Sequence, residues 1–317
     1  RRNNLCPARC NTSCGAFLFV YCIDMKPKVL VIVGPTASGK SDLAVKLAKK
    51  LNGEVISADS RQVYKELDAG AGKISKKEMQ GVPHHLLDVA SPKKQFTVSE
   101  YKKLALEKIE EILERKNLPI IVGGTGFYID ALRMNLPEVP PNQKLRKELE
   151  EKSVEELVEI LGKHEIKDRK NKVRLIRAIE IVEALGHIPE LEMDNSKYDF
   201  EFIGLKPVDL SKKIEKRLKN RLTKIVTEVK KLRKNGVTWK RFYELGLEYR
   251  YVGAYVQGKM DKEEMSKELF KEIIRYSKRQ MTWFNKNKQI KWFENSSSAF
   301  VYTTQELRVL QRTEQPR

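Results

Sequence analysis

The run Gly34-Pro35-Thr36-Ala37-Ser38-Gly39-Lys40-Ser41 follows the spacing G-x-x-x-x-G-K-S. Each part has a use towards phosphate. Glycines let backbone N–H groups approach phosphate oxygens, Lys40 can bridge phosphates, and the Ser41 hydroxyl can ligate Mg²⁺. A second candidate is Asp59, in Val55-Ile56-Ser57-Ala58-Asp59-Ser60-Arg61-Gln62-Val63-Tyr64, where a carboxylate leaves the end of a short apolar run. Carboxyl ends of parallel strands are where α/β proteins place their chemistry. Asp59 is therefore read as a water-mediated Mg²⁺ ligand or a general base, against the alternative of a turn or cap aspartate. A second glycine-rich turn, Gly123-Gly124-Thr125-Gly126, suits a close backbone approach. In Pro83-His84-His85-Leu86-Leu87-Asp88 the two histidines are adjacent. Adjacent residues point to different sides of a strand, so the pair makes a poor metal chelate. One histidine is expected in the core and the other in a cleft.

These residues need elements to hold them. Val29 to Val33 is an apolar run that reads as a buried parallel strand, and Leu43, Ala44, Leu47, Ala48 and Leu51 follow the loop at helical spacing. Strand, loop and helix thus come in the order that phosphate binding requires. Leu118-Pro119-Ile120-Ile121-Val122 predicts a further strand before the second glycine turn.

The 317 residues carry 62 Lys+Arg against 43 Asp+Glu, a net charge of +19. The excess is uneven: +2 over 1–24, +5 over 25–140, −2 over 141–200 and +14 over 201–317. A basic last third attracts polyanions, nucleic acid foremost, unless it is only a solvated lysine-rich surface. With 40% hydrophobic and 33% charged residues, global disorder and a multi-span membrane protein are excluded. The longest apolar run, Ala16 to Ile23, is eight residues, against the roughly 20 of a spanning helix, so no membrane association is expected. All four cysteines, Cys6, Cys10, Cys14 and Cys22, lie in the first 24 residues, in neither a paired zinc spacing nor a disulfide framework. Residues 1–24 read as an appended or mis-started leader, with Met25 as the natural beginning.

The ordered set Gly34 to Ser41, Ile56 to Tyr64, Pro83 to Asp88 and Gly123 to Tyr128 resembles the tRNA dimethylallyltransferases, also called tRNA isopentenyltransferases. The likeness continues through Asn171 to Glu180 and Lys278 to Phe284, and covers about 25–295. The phosphate loop alone is shared by many families, whereas ISADSRQVY, PHHLLD and GGTGFY together are specific.

The resemblance implies an α/β fold, a P-loop NTPase-like parallel sheet core with helices on both faces, plus a helical insertion domain. It implies transfer of a dimethylallyl group from dimethylallyl diphosphate to N6 of adenosine 37 in a tRNA anticodon stem-loop, with Mg²⁺ as cofactor. Carried over, Gly34, Pro35, Thr36, Ala37, Ser38, Gly39, Lys40 and Ser41 hold the diphosphate, and Ser41 also takes the metal. Lys40, Thr36 and Asp59 are the catalytic set, with Asp59 the base. Asp59, Ser60, Arg61 and Gln62 lie near the flipped adenine with Thr125. Arg146 and Val173, Arg174, Leu175, Ile176 and Arg177 match tRNA-contacting positions. Such an enzyme is expected in the cytoplasm as a monomer.

The resulting organisation is a core over 25–137, a helical tRNA-binding insertion over 138–199, a second core part with basic helices over 200–295, and a weakly structured tail over 296–317. Residues Asp209 to Asn235 predict a long amphipathic helix, with eleven basic residues from Lys212 to Lys234, suited to a phosphate backbone. One stretch departs from the family. Many members carry an arginine before a Gly-Tyr pair here, and Tyr243 takes its place if Gly246 is that glycine. Arg241 or Arg250 is then the candidate substitute at the diphosphate. Prenylation of free adenylate and small-molecule phosphoryl transfer are the competing activities. A guanine-reading switch is disfavoured, because Asn285-Lys286-Asn287-Lys288 lacks the aspartate of N-K-x-D.

Overall fold

The computed structural model describes residues 26–166, 168–192 and 196–313. The leader and Met25 lie outside them. The chain opens with β1 (Lys28–Val33), α1 (Lys40–Leu51), β2 (Gly53–Ser57), α2 (Lys76–Met79), β3 (His84–His85), α3 (Val98–Glu114), β4 (Leu118–Gly123) and α4 (Gly126–Ala131). Three helices follow as an excursion: α5 (Gln143–Glu150), α6 (Val154–Leu161) and α7 (Lys172–Leu185). The chain returns through β5 (Asp199–Leu205), α8 (Leu210–Lys234), α9 (Trp239–Leu245), α10 (Leu247–Val256), α11 (Lys262–Phe284), β6 (Lys291–Phe293) and α12 (Ser296–Thr313).

Six strands form one sheet in the order β3-β2-β4-β1-β5-β6, and every pairing is parallel. A parallel sheet needs helices on both faces, which explains the near-continuous apolar strands. Along β1 the side chains alternate. Val29, Val31 and Val33 enter one core with α3, α8, α10 and α11, and Leu30 and Ile32 enter another with α1 and α12. The expected fold class is therefore the observed one.

Helices α5 to α7 have a small core of their own, built on Leu149, Leu157, Leu161, Leu175 and Ile179. Capping residues set their starts. The Ser153 hydroxyl accepts from the Glu156 N–H, and the side chains of Asn142 and Asn171 accept from Leu145 and Arg174. These three helices lie within 138–199, the stretch read as an insertion, and share one buried seam.

The tail expectation is corrected. Ser296–Thr313 is a helix, and Ala299 and Leu307 are buried against α1. Its serines and threonines hid it, since these residues are weak helix formers outside caps. Burial of one stripe offsets that weakness: buried Thr303 donates its hydroxyl back to the Ala299 carbonyl at 2.7 Å. Among the described residues no helix is long and apolar enough to cross a membrane.

Candidate active site

Three strand ends bring the chemistry together. Val33 pairs with Gly123 and Ser57 with Val122, so β1, β2 and β4 stop level with one another and release their loops side by side. Over these ends lies a cleft lined by Thr36, Lys40, Ser41, Asp59 and Gln62, and by Arg217, Arg221, Glu248, Tyr276 and Gln280 from the helices.

The phosphate loop is built on unusual backbone angles. Gly34 has φ 146°, and a Cβ there would stand 2.4 Å from the Leu205 carbonyl oxygen, so only glycine fits. Lys40 begins α1 and donates to the Pro35 carbonyl at 2.8 Å, folded over its own loop. Burial pushes its ammonium down to about 8, and the charge of Arg217 adds to that shift. The buried Ser38 hydroxyl has no hydrogen-bond partner, the state of a donor that awaits an oxygen-rich ligand.

Asp59 is both a turn former and a cleft residue. Its Oδ1 accepts from the N–H of Arg61 at 2.8 Å and of Gln62 at 3.4 Å, which fixes the carboxylate at the cleft. The Ser60 N–H donates to the Thr125 hydroxyl at 3.0 Å, so the second glycine turn is tied to the segment after β2. Gln280 joins the loops: it accepts from the Thr36 N–H at 2.9 Å and donates to the Gly124 carbonyl at 2.8 Å. A Cβ on Gly123 would lie 2.0 Å from the Ala58 carbonyl oxygen, and one on Gly124 2.2 Å from Gln280 Nε2. The close approach expected at these glycines is thus made by the protein itself.

The histidines divide as expected. His85 Nε2 pairs at 2.7 Å with buried Glu54, whose carboxyl the Arg115 guanidinium holds down near about 2, and His84 lines the cleft. For Mg²⁺, the exposed Ser41 hydroxyl and the Asp59 carboxylate are oxygen donors lining one cleft. No cluster of three His, Cys, Asp or Glu ligands occurs among the described residues. The set fits a cation that takes its remaining ligands from substrate phosphate and water, as Mg²⁺ commonly does.

The RNA-side residues split into two groups. Asp59, Ser60, Arg61, Gln62 and Thr125 gather at the cleft, whereas Arg146 and Val173 to Arg177 sit in the helical insertion. Arg146 makes a bidentate pair with Glu180 at 2.7 and 2.8 Å, and Arg177 reaches the same carboxylate at 3.2 Å and the Val139 carbonyl at 2.7 Å. Arg146 thus braces α5 against α7, and Arg177 ties α7 to the segment before α5. Leu175 and Ile176 are a correction: both are buried in the insertion's core, so their side chains face away from any docked RNA. Exposed Val173 and Arg174 remain on the surface, Arg174 in a 2.9 Å pair with Asp168.

Arg241 is the second correction. It is buried, and it donates to the carbonyls of Pro92 and Lys94, the Tyr64 hydroxyl and the Glu244 carboxylate at 2.8 to 3.1 Å. A guanidinium committed to protein acceptors holds the fold together and does not reach the cleft. Arg241→Ala is therefore expected to lower the melting temperature by several degrees and to leave the KM for a diphosphate donor within about twofold. A large KM increase in a variant of normal stability would contradict this. Arg250 is also elsewhere, stacked 4.1 Å over the exposed ring of Tyr243.

Arg217 and Arg221, one turn apart on α8, supply cleft cations that the sequence reading did not single out. Their guanidinium groups donate to the carbonyls of Gly72 at 3.0 Å and Ala69 at 2.8 Å. Burial and the charge of Arg221 lower the Arg217 pKa. Glu248, 3.5 Å from Arg221, is raised by burial. The i, i+4 spacing on a basic helix was the available signal, but it does not say which face turns to the phosphate loop. Tyr276 was missed for a related reason, since it belongs to an apolar helix face; the cause that most raises its pKa is burial.

The family model described as IPP transferase matches residues 62–287, well over half of the chain. The tRNA dimethylallyltransferase 1 of Syntrophus aciditrophicus is 40% identical over 288 residues, covering 85% of this chain and 94% of the relative. The tRNA dimethylallyltransferase of Acetivibrio thermocellus is 39% identical, covering 83% and 90%. Among solved structures, the full-length tRNA isopentenylpyrophosphate transferase of Bacillus halodurans superposes with a TM-score of 0.68 at 34% identity, over 91% of this chain and 99% of that one.

Proposed function

The chain belongs to the IPP transferase family, and we propose that it transfers a dimethylallyl group from dimethylallyl diphosphate to N6 of adenosine 37 in the anticodon loop of tRNA. The observation that carries this reading is one cleft lined by Lys40, Arg217, Arg221 and the carboxylate of Asp59. The cations suit a diphosphate leaving group, and the carboxylate suits a proton acceptor.

The residues divide the reaction between them. Free amides of the phosphate loop, Lys40 and the two arginines take the charge that builds on the diphosphate as the allylic C–O bond breaks. The adenine N6 forms the new C–N bond, and its proton passes to Asp59. Thr36 stands at the junction of the two halves, its N–H held by Gln280. When bound, Mg²⁺ adds positive charge at the diphosphate, with the Ser41 hydroxyl and Asp59, through water, as the protein groups that would hold it. A base in a loop can be turned out into such a cleft at the cost of unstacking. The enzyme is proposed to act as a monomer, since the cleft is completed by residues of one chain.

The test is transfer of labelled dimethylallyl groups to an anticodon stem-loop RNA, with adenosine or guanosine at position 37. Label on the adenosine RNA alone is the expected result. Label on free adenylate but not on RNA would overturn the acceptor assignment.

A further inference from the structure

Beside the cleft, α4 and α11 raise an aromatic pair that the transfer reaction leaves unused. Gly124 and Gln280 belong to the cleft. Three residues past each stand Phe127 and Trp283, edge to face with ring centroids 6.2 Å apart. Trp283 is firmly seated. Its indole N–H donates to Asp130 at 2.7 Å, and a Cβ on Gly126 would fall 2.2 Å from its Cδ1, so the ring lies directly on the glycine backbone. Phe127, braced by that ring, is 40% exposed.

Exposure alone says little about a single aromatic residue, but the setting of this one is distinctive. Among the described residues the exposed large aromatics are Phe127 and Tyr243, and Arg250 is stacked over the Tyr243 ring. Among the described residues Trp283 is the aromatic ring that meets Phe127, at 66°, an edge contact that leaves a ring face for a flat partner. Phe127 also has a strategic place in the chain. It lies on α4, between the cleft residue Gly124 and the departure of the helical insertion after Ala131. A cation accompanies the pair: Lys286 is exposed, and its Nζ lies 5.6 Å from the Trp283 centroid. An apolar protein partner would not call for that charge, whereas a stacked base with its phosphates would.

We infer that Phe127, buttressed by Trp283, is a stacking platform for a nucleobase next to the adenosine turned out into the cleft. The platform fills the stack that the departing base vacates. This inference rests on RNA being the acceptor.

The experiment uses the full chain and an anticodon stem-loop with 2-aminopurine on either side of the reactive adenosine. Wild type is expected to prenylate this RNA and to quench the probe on one side. Phe127→Ala and Phe127→Leu are expected to abolish that quenching and to raise the RNA KM about tenfold, the size of one lost base stack. The donor KM should stay within about twofold, and Phe127→Trp should restore both quenching and KM. Wild-type RNA KM and quenching in Phe127→Ala would overturn the platform while the acceptor assignment stands. Failure of wild type to prenylate the RNA would instead overturn the acceptor assignment, and the platform with it.

Discussion

Asp59→Ala is expected to lower kcat by about 10²- to 10⁴-fold, the usual contribution of one positioned general base. The carboxylate is pinned through Oδ1 by the Arg61 and Gln62 amides, so its position does not depend on a bound substrate. Asp59→Asn separates the base from the turn. Its side-chain oxygen can still accept those two amide bonds, yet it cannot take a proton, so kcat should fall nearly as far while stability is kept. The donor KM should rise less than kcat falls, because Lys40 and the two arginines still line the cleft. An Asn variant with near wild-type kcat would show that Asp59 matters only as a turn former.

The second large effect is expected at the cationic wall. Lys40→Ala should lower kcat/KM for the donor by about 10²- to 10³-fold, comparable to losing one donor aimed at developing charge in a water-poor site. Arg217→Ala should act in the same direction, and the double variant should lose less than the product of the two. The charge of Arg217 acts on Lys40, and residues that share one charge load are non-additive. Steady-state kinetics of the three variants, with melting curves as a control, decide the matter. Strict multiplicativity would mean that the two cations act on different groups. Wild-type kinetics in Lys40→Ala would remove the loop from the reaction altogether.

Both effects concern residues that the chain brings to the cleft in different ways, and that difference shows in how readable they were. Lys40, Ser41 and Asp59 stand at the ends of β1 and β2, where strand, loop and helix are contiguous. Their residue types at fixed spacing nearly dictate the local geometry. The all-parallel sheet was legible for a similar reason, since unbroken apolar runs such as Val29 to Val33 can be satisfied only by helices on both faces.

What stayed hidden in the sequence was the choice of partner for each long polar side chain. Arg217 and Arg241 are the same residue type, 24 positions apart. One turns to the phosphate loop, while the other satisfies two carbonyls, a hydroxyl and a carboxylate in the core. Arg146 and Arg177 spend much of their hydrogen-bonding capacity on Glu180, and Leu175 and Ile176 line the seam that this pairing closes. The sequence by itself determined the phosphate loop, the position of Asp59 and the layered parallel architecture, because those follow from short-range spacing and from the alternation of apolar residues. Tertiary structure alone decided which arginines face the cleft, that Gln280 joins its two glycine-bearing loops, and that the last described helix packs on α1. A guanidinium or amide carries no local preference for one distant acceptor over another, and only the packed arrangement of helices on the sheet chooses among them.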